Sequence, residues 1–232
     1  MTREIAIPML EQPSPEPLIL ENISIRQGER CLLALEARIE PGDILTVMGP
    51  SGVGKSTLLA YIAGFLAPTF TAGGRLWLGD GEITHLSPEH RRLGLLFQDP
   101  LLFPHLSVGG NLAFGMPAAG SRHERRARVE AALADIGMAG FASRDPGTLS
   151  GGQSARVALM RVLLAEPRAM LLDEPFSRLD AALRDEIRQL VLKRVRERGL
   201  PTLLVTHDQA DAEAAGGTIV EITPQNQEGH RQ

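Results

Sequence analysis

The chain has 232 residues, 43% hydrophobic and 22% charged, with a formal net charge of -4. Such a composition describes a globular chain, long enough for one large domain or two intimate subdomains, and it advertises no nucleic-acid surface. Cys31 is the single cysteine, which excludes an intrachain disulfide, and no apolar run reaches the roughly 18–20 residues that span a bilayer.

Met1–Pro17 carries four prolines and reads as an extended arm ahead of a folded region over 18–232. Leu18–Ile25 alternates apolar and polar side chains, the period of a strand. Gly28 turns the chain into a second strand, Cys31–Ile39, which closes at a Pro-Gly turn over Glu40–Asp43. Ile44–Met48 is a short apolar strand that stops at Gly49, and a helix opens at Ser56. Short strands follow at Gly73–Gly79 and Glu82–Leu86, then a strand over Arg91–Asp99 that ends at Gln98. From Val108 to Met138 apolar positions recur at helical intervals, most clearly in Glu124–Met138. The basic run within Ser121–Glu130 reads as a solvated helix face, with a partner surface or acidic lipid headgroups as the alternative. A glycine loop from Leu149 leads into a helix over Ala155–Pro167. Ala169–Glu174 is an apolar strand ending on two acids. A long amphipathic helix spans Asp180–Gly199. Pro201–Asp208 is a strand ending at His207, Asp208–Gly217 a helix and turn, and Thr218–Ile222 a last strand. Strands alternate with helices, and several strands are continuously apolar. The pattern predicts an α/β fold with a mostly parallel, buried sheet, helices on both faces, and a mainly helical subdomain over 100–167.

The residues with the plainest chemistry are Gly49, Pro50, Ser51, Gly52, Val53, Gly54, Lys55, Ser56 and Thr57. They contain the spacing G-x-x-x-x-G-K-S between an apolar strand and a helix. Small residues let backbone N–H groups curl around a β-phosphate, and the helix start adds a favourable dipole. Lys55 can reach the β- and γ-phosphates, and the Ser56 hydroxyl can ligate Mg2+. Asp173 emerges at the end of its strand, where open α/β sheets bind ligands, and can hold the magnesium through a water. Glu174, one residue on, is placed to polarise an attacking water. Ser150, Gly151, Gly152 and Gln153 open a helix and form a second compact anion cradle. One chain does not need two cradles for one triphosphate, so the second is expected to serve a nucleotide held by another subunit. Gln98 and His207 each end an apolar strand and can share the sheet edge that carries the phosphate loop.

Together these segments resemble an ATP-binding subunit of the ABC transporter family, from about Leu18 to Ile222. Gly49–Thr57 resembles Walker A, Leu149–Gln153 the signature loop, Ala169–Glu174 Walker B and Ser177–Asp180 the D-loop. Gln98 falls at the Q-loop glutamine and His207 at the switch histidine. The stretches around Phe97–Gly115 and Asp173–Arg184 look most like ATPases of bacterial importers, closest to the YnjD-like branch. The resemblance implies a P-loop nucleoside triphosphatase fold of the ABC type, with a small antiparallel β region beside the parallel sheet. It also implies a homodimer enclosing two ATP molecules with Mg2+, each site shared between Walker A of one copy and the signature loop of the other. Gln98 would link magnesium and γ-phosphate to the membrane subunit, and His207 would contact the γ-phosphate. The implied setting is the cytoplasmic face of the inner membrane, as a peripheral subunit on a separate permease, with a periplasmic solute-binding protein in the system. Three departures stand out. Gln27 occupies the place of the family's adenine-stacking aromatic, Ser154 follows the signature glutamine where importers commonly carry a basic residue, and Gly216 and Gly217 replace a more polar stretch. A C-terminal β-rich regulatory domain is not expected. The competing readings are an ABC-type ATPase acting on nucleic acid or ribosomes, and a metabolic kinase. The short, heptad-free spacing from Gln98 to Leu149 disfavours a DNA-maintenance ATPase, and the second cradle disfavours a kinase.

Overall fold

The computed structural model describes residues 15–222, so the expected N-terminal arm lies outside it apart from Pro15–Pro17. The elements in chain order are β1 (Leu18–Gln27), β2 (Arg30–Ile39), β3 (Ile44–Met48), α1 (Lys55–Ala63), β4 (Thr71–Leu78) and the short β5 (Gly81–Glu82). A helical turn α2 (Pro88–Arg91) and β6 (Leu93–Leu96) follow, then α3 (Val108–Gly115), α4 (Arg122–Asp135), α5 (Gly151–Leu164) and β7 (Ala169–Asp173). The chain continues through α6 (Ala181–Glu197), β8 (Thr202–Thr206), α7 (Gln209–Ala215) and β9 (Thr218–Glu221). They form two sheets: an antiparallel one in the order β2-β1-β4-β5 and a parallel one in the order β6-β7-β8-β3-β9.

The parallel sheet is buried on both faces, and side-chain alternation along each strand sorts its residues. Met170, Leu172 and Leu204 join a core with α3, α4, α5 and α6, including Leu112, Leu133, Leu163 and Val191. Ala169, Leu171, Leu203 and Val205 point the other way, into a core with Leu58 and Ile62 of α1 and the antiparallel sheet. Each fully buried leucine of this kind contributes about 1.5–3 kcal/mol of transfer free energy. The second face is therefore covered by α1 and a four-stranded sheet rather than by a layer of helices.

Three element boundaries differ from the sequence reading, each for a local reason. The Thr84 hydroxyl takes the Leu76 N–H at 2.9 Å, so the strand expected over Glu82–Leu86 ends after Glu82. The stretch expected as one strand over Arg91–Asp99 is split. Pro88 fixes the first position of a helical turn, and Arg92 ends it in the left-handed region at φ 54°, which leaves four residues for β6. Helix α5 starts at Gly151 instead of Ala155, because Ser150 and Gln153 cap each other's backbone N–H groups across the first turn.

One buried side chain holds α1 in place. Arg91 is 5% exposed and donates to the carbonyl oxygens of Tyr61 and Ile62 at 2.8 and 2.7 Å, satisfying the end of α1. It also donates to Leu86 and Thr84 at 2.8 and 2.6 Å. The guanidinium lies so close to Gly64 that a Cβ there would sit 2.9 Å from Nε. A lysine keeps the charge but lacks the planar fork needed to reach four carbonyls. Arg91→Lys is accordingly expected to cost about 2–4 kcal/mol in urea unfolding. A loss under about 0.5 kcal/mol, the range of ordinary surface changes, would mean that α1 does not depend on this cap.

Candidate nucleotide site

Parallel strands put all their C-terminal ends on one edge, and the chain places its polar side chains there. Leu96 at the end of β6 lies opposite Leu172, Asp173 of β7 opposite Val205, and Thr206 of β8 opposite Met48 of β3. Gln98, Asp173, Glu174, His207 and Gly49 thus follow the ends of four adjacent strands. Gln98, Asp173 and Glu174 line one open cleft of about 420 Å³ with Ser51, Gly52, Gly54, Lys55, Ser56 and Thr57.

The loop from Gly49 to Gly54 has the shape its residue types allow. A Cβ on Gly49 would sit 2.6 Å from the carbonyl oxygen of Ile222, where the end of β9 seals the loop. Gly54 caps α1 at φ 102°, in the left-handed region, with the Leu32 side chain packed 3.3 Å from where its Cβ would be. Lys55 is 4% exposed. Its ammonium donates to the carbonyls of Gly49 and Pro50 at 2.7 and 3.0 Å and lies 4.0 Å from Glu174 Oε1. The loop is therefore held around a cation before any anion arrives, which lowers the ordering cost of binding.

Ser56 donates to Asp173 Oδ1 at 3.0 Å. A hydroxyl and a carboxylate side by side are a hard oxygen donor pair, which fits magnesium with phosphate oxygens and waters completing the shell. Burial pushes the Asp173 carboxyl above the ordinary carboxylate range, opposed by the Ser56 hydrogen bond. Glu174 holds φ 46° directly before Pro175, a left-handed conformation worth about 1–3 kcal/mol of strain. Its N–H donates to the Val205 carbonyl at 2.9 Å. Glu174 Oε1 lies 3.1 Å from His207 Nδ1. The His207 loop is anchored on both sides. The Asp208 N–H donates to the Thr206 hydroxyl at 3.0 Å, Arg184 pairs with Asp208 at 2.9 Å, and Arg188 pairs with Asp211 at 2.7 Å.

Ser150, Gly151, Gly152 and Gln153 lie apart from this cleft, and none of them lines it. The Ser150 hydroxyl accepts from the Gln153 N–H at 3.3 Å, while Gln153 Oε1 accepts from the Ser150 N–H at 3.0 Å. The two glycines answer to different constraints. A Cβ on Gly152 would meet Leu183 Cδ1 at 2.4 Å, whereas one on Gly151 would meet nothing within 4 Å among the described residues. Glycine inside a helix costs about 0.5–1 kcal/mol relative to alanine, and this chain's own packing gives no reason for it at Gly151. Sequence reasoning missed Phe70, Arg30 and Leu32, which line the cleft beside Gln27. Nothing in their spacing singles them out.

Comparison with known proteins gives the family. Residues 32–177 match the family described as ABC transporter. The chain is 50% identical over 203 residues to the ABC transporter ATP-binding protein YnjD of Escherichia coli K12, covering 87% of this chain and 94% of that protein. It is 43% identical over 201 residues to the putative 2-aminoethylphosphonate import ATP-binding protein PhnT of Salmonella typhimurium, and 39% identical over 208 residues to the Fe(3+) ions import ATP-binding protein FbpC of Brucella abortus. Those matches cover 84% and 89% of this chain but 53% and 58% of the two relatives, so the chain spans just over half of their length. Among solved structures, the dimeric bacterial ABC transporter cassette MJ0796 superposes with a TM-score of 0.72 at 32% identity, over 88% of this chain and 94% of the other. A post-hydrolysis dimer of the same cassette with ADP and Pi matches equally.

The partly desolvated charge on Asp173 has a measurable consequence. Asp173→Asn removes a partly desolvated carboxylate, so the ligand-free variant is expected to be at least as stable as the parent. It should lose the extra thermal stabilisation that magnesium adds to ATP. Melting curves with ATP in EDTA and with ATP plus magnesium read both effects. An undiminished magnesium increment in the variant would put the cation elsewhere.

Proposed function

Because the chain belongs to the ABC transporter family, we propose that two copies close head to tail around two ATP molecules and drive solute import through a separate membrane permease. The chain is the ATP-binding, ATP-hydrolysing subunit. Gly151 carries the shared-site reading: a helix-start glycine facing open space makes sense if another copy's nucleotide approaches it closely. The Gly151 and Gly152 N–H groups and the Ser150 hydroxyl proton then supply donors to that copy's γ-phosphate. A dimer in which each copy's Gly49–Thr57 loop faces the other's Ser150–Gln153 loop is isologous and closes on itself, and the related solved cassette is dimeric.

Within each site, Lys55 and the Gly49–Thr57 backbone bind the phosphates, and Ser56, Asp173 and Gln98 hold magnesium. Held by these residues, magnesium would neutralise phosphate charge. Glu174 polarises the water that attacks the γ-phosphorus as the bond to the ADP oxygen breaks. His207 contacts the γ-phosphate and keeps Glu174 in register.

Among the described residues no helix is long and apolar enough to cross a membrane. Import thus calls for a permease, with this chain peripheral on the cytoplasmic face of the inner membrane and a periplasmic solute-binding protein supplying the solute. Relatives named for 2-aminoethylphosphonate and for Fe(3+) both share this cassette, so solute identity does not reside in it. Phe97, Leu101 and Phe114 are exposed, and Phe97 shares a small pocket with Gln98. Phe114 packs on Phe103 with ring centroids 4.6 Å apart, and Arg161 lies over Phe103. Buried Asn111 fastens this loop by bonding both the N–H and the carbonyl of Phe103, at 2.7 and 3.1 Å. An apolar patch fastened in this way, in the segment that follows Gln98, suits the permease's cytoplasmic segment. With a net charge of -4, nucleic acid is not an expected partner.

Phe114→Asp should abolish co-purification with the permease while the isolated subunit hydrolyses ATP at the parent rate; retained co-purification would move the docking surface elsewhere. For the shared site, Glu174→Gln is expected to bind ATP yet lower turnover by about 100-fold or more, trapping a dimer visible by light scattering without magnesium. Adding Ser150→Arg should return the protein to monomers. An ATP-dependent dimer that survives the second change would refute the shared site. Lys55→Ala, which removes the cation at the phosphates, should bind ATP poorly and release no phosphate.

A further inference from the structure

The cleft extends beyond its phosphate end. Its remaining lining is Gln27, Arg30 and Leu32 from the β1–β2 hairpin, and Phe70 from the loop after α1. The resemblance puts Gln27 at the family's stacking-aromatic position, and the first and second strands carry no aromatic residue. Among the residues that line the cleft, Phe70 is the aromatic one.

Phe70 is held rather than loose. Its N–H donates to the Ala67 carbonyl at 3.0 Å, closing a turn, and the next residue, Thr71, pairs with Arg26 of β1. The side chain is half-buried and packs against the core that contains Leu32 and Val53. The hairpin is fixed as well. Gln27 pairs with Arg30 across Gly28, and Arg26 donates to the Glu29 carbonyl at 2.6 Å. Among the described residues Arg30 has no ion-pair partner. An aromatic whose own N–H and following residue are held presents its face with little ordering cost. A guanidinium adds stacking and cation–π attraction.

Resting on the nucleotide reading above, we propose that Phe70 is the base-stacking residue of this site. It would reach the adenine from the loop after α1, in place of the missing hairpin aromatic, with Arg30 and Gln27 at the ring's edge. Because every base has a π-face, stacking on Phe70 tolerates guanine nearly as well as adenine. Base choice then depends on Gln27 and Arg30 and stays weak.

The test uses the full-length chain with two probes that are not turned over, MgADP and magnesium pyrophosphate, by isothermal titration calorimetry. Phe70→Leu keeps apolar bulk against the core and removes the π-face; Phe70→Tyr restores it. Phe70→Leu should weaken MgADP about tenfold, the scale of one stacked base, and leave pyrophosphate within about twofold. Phe70→Tyr should bind MgADP like the parent. Replacing MgADP by MgGDP should change the parent's affinity less than about tenfold. Unchanged MgADP affinity in Phe70→Leu overturns the assignment, and so does an equal loss for both probes, which would make Phe70 a prop for the phosphate loop. If the parent binds neither probe, the nucleotide reading falls along with this one.

Discussion

Everything at the candidate site follows from five parallel strands sharing one C-terminal edge. Parallel pairing needs crossovers, and crossovers cover both faces of the sheet, so its strands become almost wholly apolar. Polar side chains that must stay near this sheet collect where the strands stop. In this chain Gln98, Asp173, Glu174, His207 and Gly49 stand at or just beyond the ends of β6, β7, β8 and β3. The same constraint makes a Walker B strand legible as an apolar run ending in acids. It also brings residues separated by more than a hundred positions, such as Ser56 and Asp173, into a hydrogen bond.

Charge arrangement then turns position into readiness. Lys55 is buried with two carbonyls and one carboxylate near its ammonium. Asp173 is partly desolvated, with a hydroxyl beside it and burial pushing its carboxyl up. Glu174 sits in a strained conformation that its Val205 hydrogen bond helps to hold. Each group lacks some of the charge compensation that a magnesium nucleotide would bring. A site prearranged in this way spends little of its binding free energy on reorganisation.

Sequence pattern carried the fold class, the element order and the family, because strand alternation, glycine spacing and the G-x-x-x-x-G-K-S loop are local signals. Features set by contacts remote in sequence were not legible. Arg91 looked like the start of a strand, but it bonds carbonyls some thirty residues back, at Tyr61 and Ile62. Phe70 carries no local signal; the pairing of Thr71 with Arg26 sets it beside the hairpin. The helix start at Ser150–Gln153 was legible, but its first turn takes in the two glycines because the Ser150–Gln153 capping box fixes α5 from Gly151. The division of labour between Gly151 and Gly152 needed the position of Leu183, which lies on another helix.

Helix α6 begins at Asp180, whose carboxylate caps it by accepting from the Leu183 N–H at 3.1 Å. From the next turns, Arg184 and Arg188 reach Asp208 and Asp211, on either side of the start of α7. The Arg188–Asp211 pair is buried, and the Thr206 hydroxyl donates to the same aspartate at 3.3 Å. Separating these partners would leave charges stranded out of water, so the loop carrying His207 and the loop ending at Asp180 are yoked as one mechanical body. Local opening at Asp208–Asp211 must therefore break both ion pairs, one of them buried.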